Sequence, residues 1–185
     1  MEPIVQRSTC IQRREDFGAF CNLHGLTTLA VEVGVHRGEW AAEFLAQWSG
    51  KLYVGVDPWR NLPEYDNEEI SFVDRTPDLL LARNAVGKHW PRAVLLTHIS
   101  GVAARLLPDE IDFVYVDANH KHAFAARDMA LWWPKIRRGG VLAGHDYNGT
   151  WRNEVGRAVD EFAMAHGLPI TLVDGPMESW YFFKP

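Results

Sequence analysis

A chain of 185 residues, 47% of them hydrophobic, can bury one sizeable core and is too short for two domains of ordinary size. Its net charge of −5 and its lack of any Lys/Arg run argue against nucleic-acid or membrane-surface binding, which rests on clustered cations. No apolar stretch approaches the roughly 20 residues of a bilayer span, Met1-Glu2-Pro3 opens no basic-then-apolar signal pattern, and Cys10 and Cys21 have no zinc or disulfide spacing. The expectation is one cytoplasmic domain, residues 1–185, with a neutral or small partner.

Residues 13–24 set Phe17, Phe20, Cys21 and Leu23 at helical spacing, and Gly25 stands where a helix ends in a left-handed residue. Residues 1–28 therefore read as a helical lead-in. Leu29–Val33 is a short apolar strand, followed by a glycine-containing turn and by Trp40, Phe44, Leu45 and Trp48 at helical intervals, closed by Gly50. Residues 51–56 form a second strand ending at Asp57-Pro58. The polar segment 58–78, with Trp59, Arg60, Tyr65, Glu64, Asp66, Glu68 and Glu69, reads as a loop or lid.

A helical stretch over 79–90 leads to a third strand, 93–98, and Ile111–Val116 is a fourth, ending at Asp117. Ala123, Phe124, Met129, Leu131 and Trp132 predict a helix with Pro134 near its end, and Gly139-Gly140 turns into a fifth strand, 141–144. Such alternation implies right-handed crossovers and a doubly wound, mostly parallel α/β sheet covered on both faces. Residues 169–173 and Ser179–Phe183 flank Asp174-Gly175-Pro176, too close for a crossover helix, and predict an antiparallel hairpin. The eight Trp read as large core residues.

In a doubly wound sheet ligands sit beyond the carboxyl ends of the strands. Gly34 allows a sharp turn after the first strand, Gly38 a close approach of the next helix, and Asp57 can accept both hydroxyls of a ribose. The dinucleotide pattern G-x-G-x-x-G is absent, since Val35, His36 and Arg37 separate the two glycines. Glu32 puts a carboxylate at the strand mouth, unfavourable beside a pyrophosphate and favourable beside an ammonium. That combination points to a nucleoside bearing an amino acid.

Glu32, Gly34 and Gly38 meet the E/D-x-G-x-x-x-G pattern of the class I methyltransferases that use S-adenosylmethionine, and Asp57 matches their ribose-binding acid, so the chain resembles that family. The resemblance implies a Rossmann-like sheet of seven strands with a reversed final strand. It also implies that the loop 97–101 approaches the adenine, with Ser100 as its recognising residue and Ile99 where many relatives carry an acid.

Asp117-Ala118-Asn119-His120, Trp132-Trp133-Pro134, Gly139-Gly140 and Gly144-His145-Asp146-Tyr147 resemble, over residues 29–168, a bacterial subgroup related to the metal-dependent sugar and macrolide O-methyltransferases. Methyl transfer to an alcohol needs the hydroxyl positioned and deprotonated. Asp117, which also borders the cofactor pocket, and Asp146 are hard oxygen ligands suited to Mg²⁺. His145 stands where the related enzymes carry a second acid, which lowers the site's negative charge and favours Mn²⁺, another imidazole-tolerant metal, or none. His120 matches the position of the catalytic base; the plainer alternative is that it caps the next helix. Tyr147, Asn148, Trp151 and Arg152 border the acceptor, with Trp151 also placed to staple the following helix, and His122 reads as solvent-facing.

The expected function is methylation of a hydroxyl on a small molecule such as a sugar. A metal-independent N- or O-methyltransferase and a non-catalytic S-adenosylmethionine-binding subunit are the alternatives, and a homo-oligomer could supply an acceptor cap that the short chain lacks.

Overall fold

The computed structural model describes residues 2–62, 74–148 and 154–185. Its strands are β1 (Val5–Arg7), β2 (Leu29–Val33), β3 (Leu52–Val56), β4 (Ala93–Leu96), β5 (Ile111–Val116), β6 (Ile136–Gly144), β7 (Ile170–Val173) and β8 (Ser179–Phe183). The helices are α1 (Phe17–Leu23), α2 (Glu39–Gln47), α3 (Thr76–Gly87), α4 (Ser100–Leu106), α5 (His122–Trp132) and α6 (Glu154–His166). All eight strands join one mixed sheet in the order β1-β7-β8-β6-β5-β2-β3-β4. This is the doubly wound α/β architecture the alternation predicts. β8 lies antiparallel to both β6 and β7, as the terminal hairpin requires.

The seven expected strands are all present, and an eighth, β1, is added at the sheet edge. Strand β1 pairs parallel with β7 through Val5↔Ile170 to Arg7↔Leu172. Its three residues are all exposed, so no inside-outside alternation announces it; backbone pairing with the sheet edge makes it a strand. Gly139-Gly140 also lies inside β6 rather than ahead of it, where the pairing with β5 shifts register between Ile111 and Phe113. The lead-in begins with a single 3₁₀ turn, Arg14–Asp16, before α1, and Gly25 takes the left-handed φ of +66° expected of it.

The central strands β2 and β5 are buried along their whole length, which is why each reads as an apolar run interrupted by one acid, Glu32 in β2 and Asp112 in β5. Side chains alternate across the sheet. Val31 and Val33 join one core layer with α5 and α6, whereas Ala30, Phe113 and Tyr115 join the other with Phe17, Trp40 and Phe44. Trp40, Trp48, Trp59, Trp132 and Trp180 are buried, and each indole N–H reaches an oxygen: those of Arg14, Leu26 and His36, the Ser100 hydroxyl, and the oxygen of His145. They are core residues, and several also brace the loops above the sheet.

Candidate active site

The carboxyl ends of β6, β5, β2, β3 and β4 lie side by side, and a cavity of about 520 Å³ opens above them. Glu32, Gly34, Asp57, Ser100, Asp117 and His120 line it. Gly34 N donates to Val56 O and Asp117 N to Val33 O, both at 2.8 Å, so the ends of β3, β2 and β5 are stitched together. Gly34 has φ +97°, and a Cβ there would overlap the Asp117 carbonyl. Gly38, at φ +81°, caps α2; a Cβ on it would lie 3.2 Å from Ala82 Cα, where α2 and α3 meet.

Asp57 is oriented by two backbone donors, His36 N at 3.0 Å and Trp59 N at 2.8 Å, one to each carboxylate oxygen. Burial raises its pKa from the ordinary value. Each oxygen keeps a further lone pair for a ligand hydroxyl. Glu32, only 2% exposed, has its pKa pushed up to about 8 by burial, and the buried Tyr53 hydroxyl donates to it. Pro58 and Trp59 line the cavity, and α3 begins at Thr76, inside the expected lid. Tyr65, Glu64, Asp66, Glu68 and Glu69 lie outside the described residues.

Ser100 begins α4 at the cavity wall, but its hydroxyl accepts the Trp132 indole N–H at 2.9 Å and bonds to Asp128 beneath it. One lone pair is left for a ligand. Asp128 is 6% exposed, and burial raises its carboxyl pKa to about 6 against the hydrogen bond from Ser100. A folded-state pKa above the unfolded one means stability that is complete below about pH 4 and lost as pH rises through about 6. Asp128→Asn, which cannot ionise, should escape that loss. Its stability relative to the parent should improve by roughly 2–3 kcal/mol between pH 4 and pH 7.5, measured by denaturant unfolding at both.

At the other end of the cavity Asp117 follows β5, and Asp146 follows β6 with a left-handed φ of +59°. His120 Nε2 lies 2.8 Å from Asp146 Oδ2 and 3.5 Å from Asp117 Oδ1. His145 Nδ1 lies 3.3 Å from Asp146 Oδ2 and 3.8 Å from Asp117 Oδ1. The two carboxylates hold the His120 pKa up at about 10. Burial would raise the Asp146 carboxyl, but contact with His120 and His145 wins and holds it well below the usual carboxylate range. Close as they are, His120 Nε2 and Asp146 Oδ2 meet as an ion pair without hydrogen-bond alignment. Nε2 and Asp146 Oδ1 are both buried polar atoms without an aligned partner. Asp117, His120 and Asp146 form the trio whose donor atoms all lie within 4.8 Å of one another, with His145 at its margin.

The C-terminal hairpin holds this arrangement from below. Trp180 Nε1 donates to His145 O at 3.1 Å, Tyr147 N to Glu178 O at 2.9 Å, and Glu178 N to Asn148 Oδ1 at 2.9 Å. Left-handed backbone at a non-glycine residue is strained, and these bonds fix the loop around Asp146. Tyr147 donates its hydroxyl to Asp160 at 2.8 Å, so Tyr147 and Asn148 serve the loop's anchorage. His122 is not simply solvent-facing: its Nε2 lies 2.8 Å from Glu161 Oε2 on α6. Trp151 and Arg152 lie outside the described residues.

One wall residue escapes sequence reasoning. Arg14, from the turn before α1, reaches the cavity with Nη1 3.5 Å from Asp117 Oδ2 across 103 positions of chain. No local motif marks such a contact. Among the described residues no helix is long and apolar enough to cross a membrane.

Comparison with known proteins agrees with this geometry. Residues 31–147, well over half of the chain and including Glu32, Gly34, Asp57, Asp117, His120 and Asp146, match the family model described as a methyltransferase domain. No curated protein matches the chain in sequence. Among solved structures the fold is similar to an O-methyltransferase from Bacillus cereus in complex with SAH (13% identity, 92% of this chain and 80% of that one, TM-score 0.66). It is also similar to a methyltransferase from Geobacter sulfurreducens (17%, 99% and 82%, 0.63) and to precorrin-6y C5,15-methyltransferase from Geobacter metallireducens (13%, 97% and 94%, 0.64). At these identities the likeness is one of fold, and the family rests on the sequence match: the chain belongs to the methyltransferase-domain family and is an S-adenosylmethionine-dependent methyltransferase.

Proposed function

We propose that the enzyme methylates a hydroxyl group of a small molecule, a sugar being the leading class, with a divalent cation held by Asp117 and Asp146 and with His120 as the base. The reading rests on one observation above all: at the ends of β5 and β6, each of two imidazoles lies within 3.8 Å of both carboxylates, at the cavity's edge.

The donor set suits a cation. Two carboxylates are hard oxygen ligands, and the unpartnered Asp146 Oδ1 is the oxygen a metal ion would satisfy, leaving His120 Nε2 free to act on the acceptor. With imidazole in the set, Mn²⁺ is as well suited as Mg²⁺. A cation bound there would lower the cost of forming an alkoxide on the acceptor. His145, 3.3 Å from Asp146, either joins the set or orients that carboxylate.

The chain's own residues divide the remaining work. Asp57 holds the ribose, Ser100 lies on the adenine side, Glu32 and Asp117 face the amino-acid end, and Gly34 lets the ligand approach the backbone closely. His120 takes the acceptor's proton. With both carboxylates unshared, its imidazole is held protonated and has no lone pair to offer. The base role therefore belongs to the state in which Asp117 and Asp146 share their charge with a cation.

The test is chelation across a panel of hydroxylated acceptors. EDTA should lower methyl transfer by about 10³-fold or more, several kcal/mol of barrier, and added Mg²⁺ or Mn²⁺ should restore it. S-adenosylhomocysteine binding should change little. Undiminished transfer in EDTA would overturn the metal and favour metal-independent N- or O-methylation.

A further inference from the structure

The amino-acid end of S-adenosylmethionine is a zwitterion, and the acids at the β2 and β5 ends serve only half of it. Asp117 attracts an ammonium and repels the carboxylate attached to the same carbon, and Glu32, its pKa raised to about 8 by burial, offers the ammonium an acceptor oxygen and the carboxylate nothing. Asp57, at the end of β3, places the ribose, and the strand order β5-β2-β3 then puts the amino-acid end over β2 and β5. A cation is needed there. Among the arginines of the cavity wall, Arg75 is bound to Asp78 at 3.2 Å, and Arg60 follows Asp57 by three positions. Arg14 is the one that reaches Asp117.

Its placement is built. Trp40 Nε1 donates to the Arg14 backbone oxygen at 3.1 Å, tying the turn to the start of α2, and the Trp40 ring stacks on Tyr115 with centroids 4.0 Å apart. The guanidinium lies beside the Tyr115 hydroxyl and is one-third exposed. Its contacts with Asp117, from Nη1 to Oδ2, and with Glu15, from Nε to Oε1, are both 3.5 Å, the long limit of a hydrogen bond, so even with the Tyr115 hydroxyl beside it the guanidinium is loosely held and can turn donors to a ligand. A guanidinium fork matches a carboxylate in shape as well as charge.

We propose that Arg14 is the receptor for the carboxylate of the methionyl group, so that the lead-in segment completes a zwitterion site of which Glu32 and Asp117 form the other half. The proposal rests on the assignment of S-adenosylmethionine to this cavity. It also gives the lead-in segment, which precedes the residues matching the family model, a part in ligand binding.

The experiment is calorimetric binding of S-adenosylhomocysteine and of its decarboxylated analogue, which keeps the ammonium and lacks the carboxylate, to the full chain. The unaltered protein should prefer S-adenosylhomocysteine by about tenfold or more. Arg14→Gln, which leaves the Trp40 bond to the backbone in place, should erase the preference by weakening only the carboxylated ligand. Arg14→Lys, which keeps charge without the fork, should reduce the preference without abolishing it, and it decides the matter should the glutamine variant not fold. Equal loss for both ligands, as a purely structural partner of Asp117 would give, would overturn the proposal, as would full preference in either folded variant. Failure of the unaltered protein to bind either ligand would instead overturn the cofactor assignment beneath it.

Discussion

His120→Ala is expected to lower methyl-transfer turnover by about 10²–10⁴-fold while S-adenosylhomocysteine binds as it does to the unaltered protein. The separation follows from what the side chain touches. His120 Nε2 faces Asp146 at 2.8 Å and Asp117 at 3.5 Å, whereas Asp57, the acid proposed for the ribose, is held separately by His36 N and Trp59 N. Nor is the imidazole needed to start α5. The turn is closed by Asn119 Oδ1, which accepts Lys121 N at 2.9 Å, and by Lys121 O, which accepts Phe124 N and Ala125 N. The capping alternative therefore has no hydrogen bond behind it, and whatever stability His120→Ala loses comes from the ion pair with Asp146 and Asp117. Asp146→Asn keeps the shape and removes one charge; it should cut cation affinity and let the His120 pKa fall from about 10, which NMR titration of the imidazole would follow. Turnover of His120→Ala within tenfold of the parent, with the protein folded, would sink the base assignment.

How far the sequence discloses the molecule depends on whether an interaction is local. The strands β2 and β5 are legible because burial on both faces leaves mostly apolar runs, each with a single acid, and the hairpin because Asp174-Gly175-Pro176 leaves no room for a helix. Strand β1 is not, because Val5, Gln6 and Arg7 become a strand only by pairing with β7, some 165 positions away. The same division runs through the site. Glu32, Gly34, Gly38 and Asp57 lie within one βαβ unit, so spacing alone brings them together, and Asp117 and Asp146 converge because both follow adjacent parallel strands. Arg14 meets Asp117, and Ser100 meets Trp132 and Asp128, only through tertiary packing. Which imidazole lies nearest the carboxylates was equally hidden. The loop that positions Asp146 takes a left-handed turn there, and the closest ring nitrogen to Asp146 is that of His120, with His145 half an ångström farther out.

Gly34 is where the backbone itself carries the site, and Gly34→Ala is the substitution with the largest expected structural effect. A Cβ at that position overlaps the Asp117 carbonyl oxygen and lies 2.6 Å from its carbon and 2.7 Å from Ala118 Cα. Every one of these atoms is backbone, so no side chain can swing aside. The φ of +97° adds conformational strain of its own. Relief requires the end of β5 to move away from β2, at the expense of the bond from Asp117 N to Val33 O and of the position of the Asp117 carboxylate. Gly25 supplies the control. It too has a positive φ, +66°, but a Cβ there meets nothing within 4 Å, so Gly25→Ala costs the backbone term alone, about 1 kcal/mol. Gly34→Ala should cost about 3 kcal/mol or more, and even where it folds it should lose S-adenosylhomocysteine binding and turnover together, since a displacement of about 1 Å is enough to cost 10²-fold in rate. Denaturant unfolding of both variants, with calorimetry of the second, isolates the steric term. Equal losses at Gly25 and Gly34 would mean that the glycine serves only its turn. A larger loss at Gly34 would mean that it is glycine because the ends of β2 and β5, which carry Glu32 and Asp117 into the cavity, must touch through bare backbone.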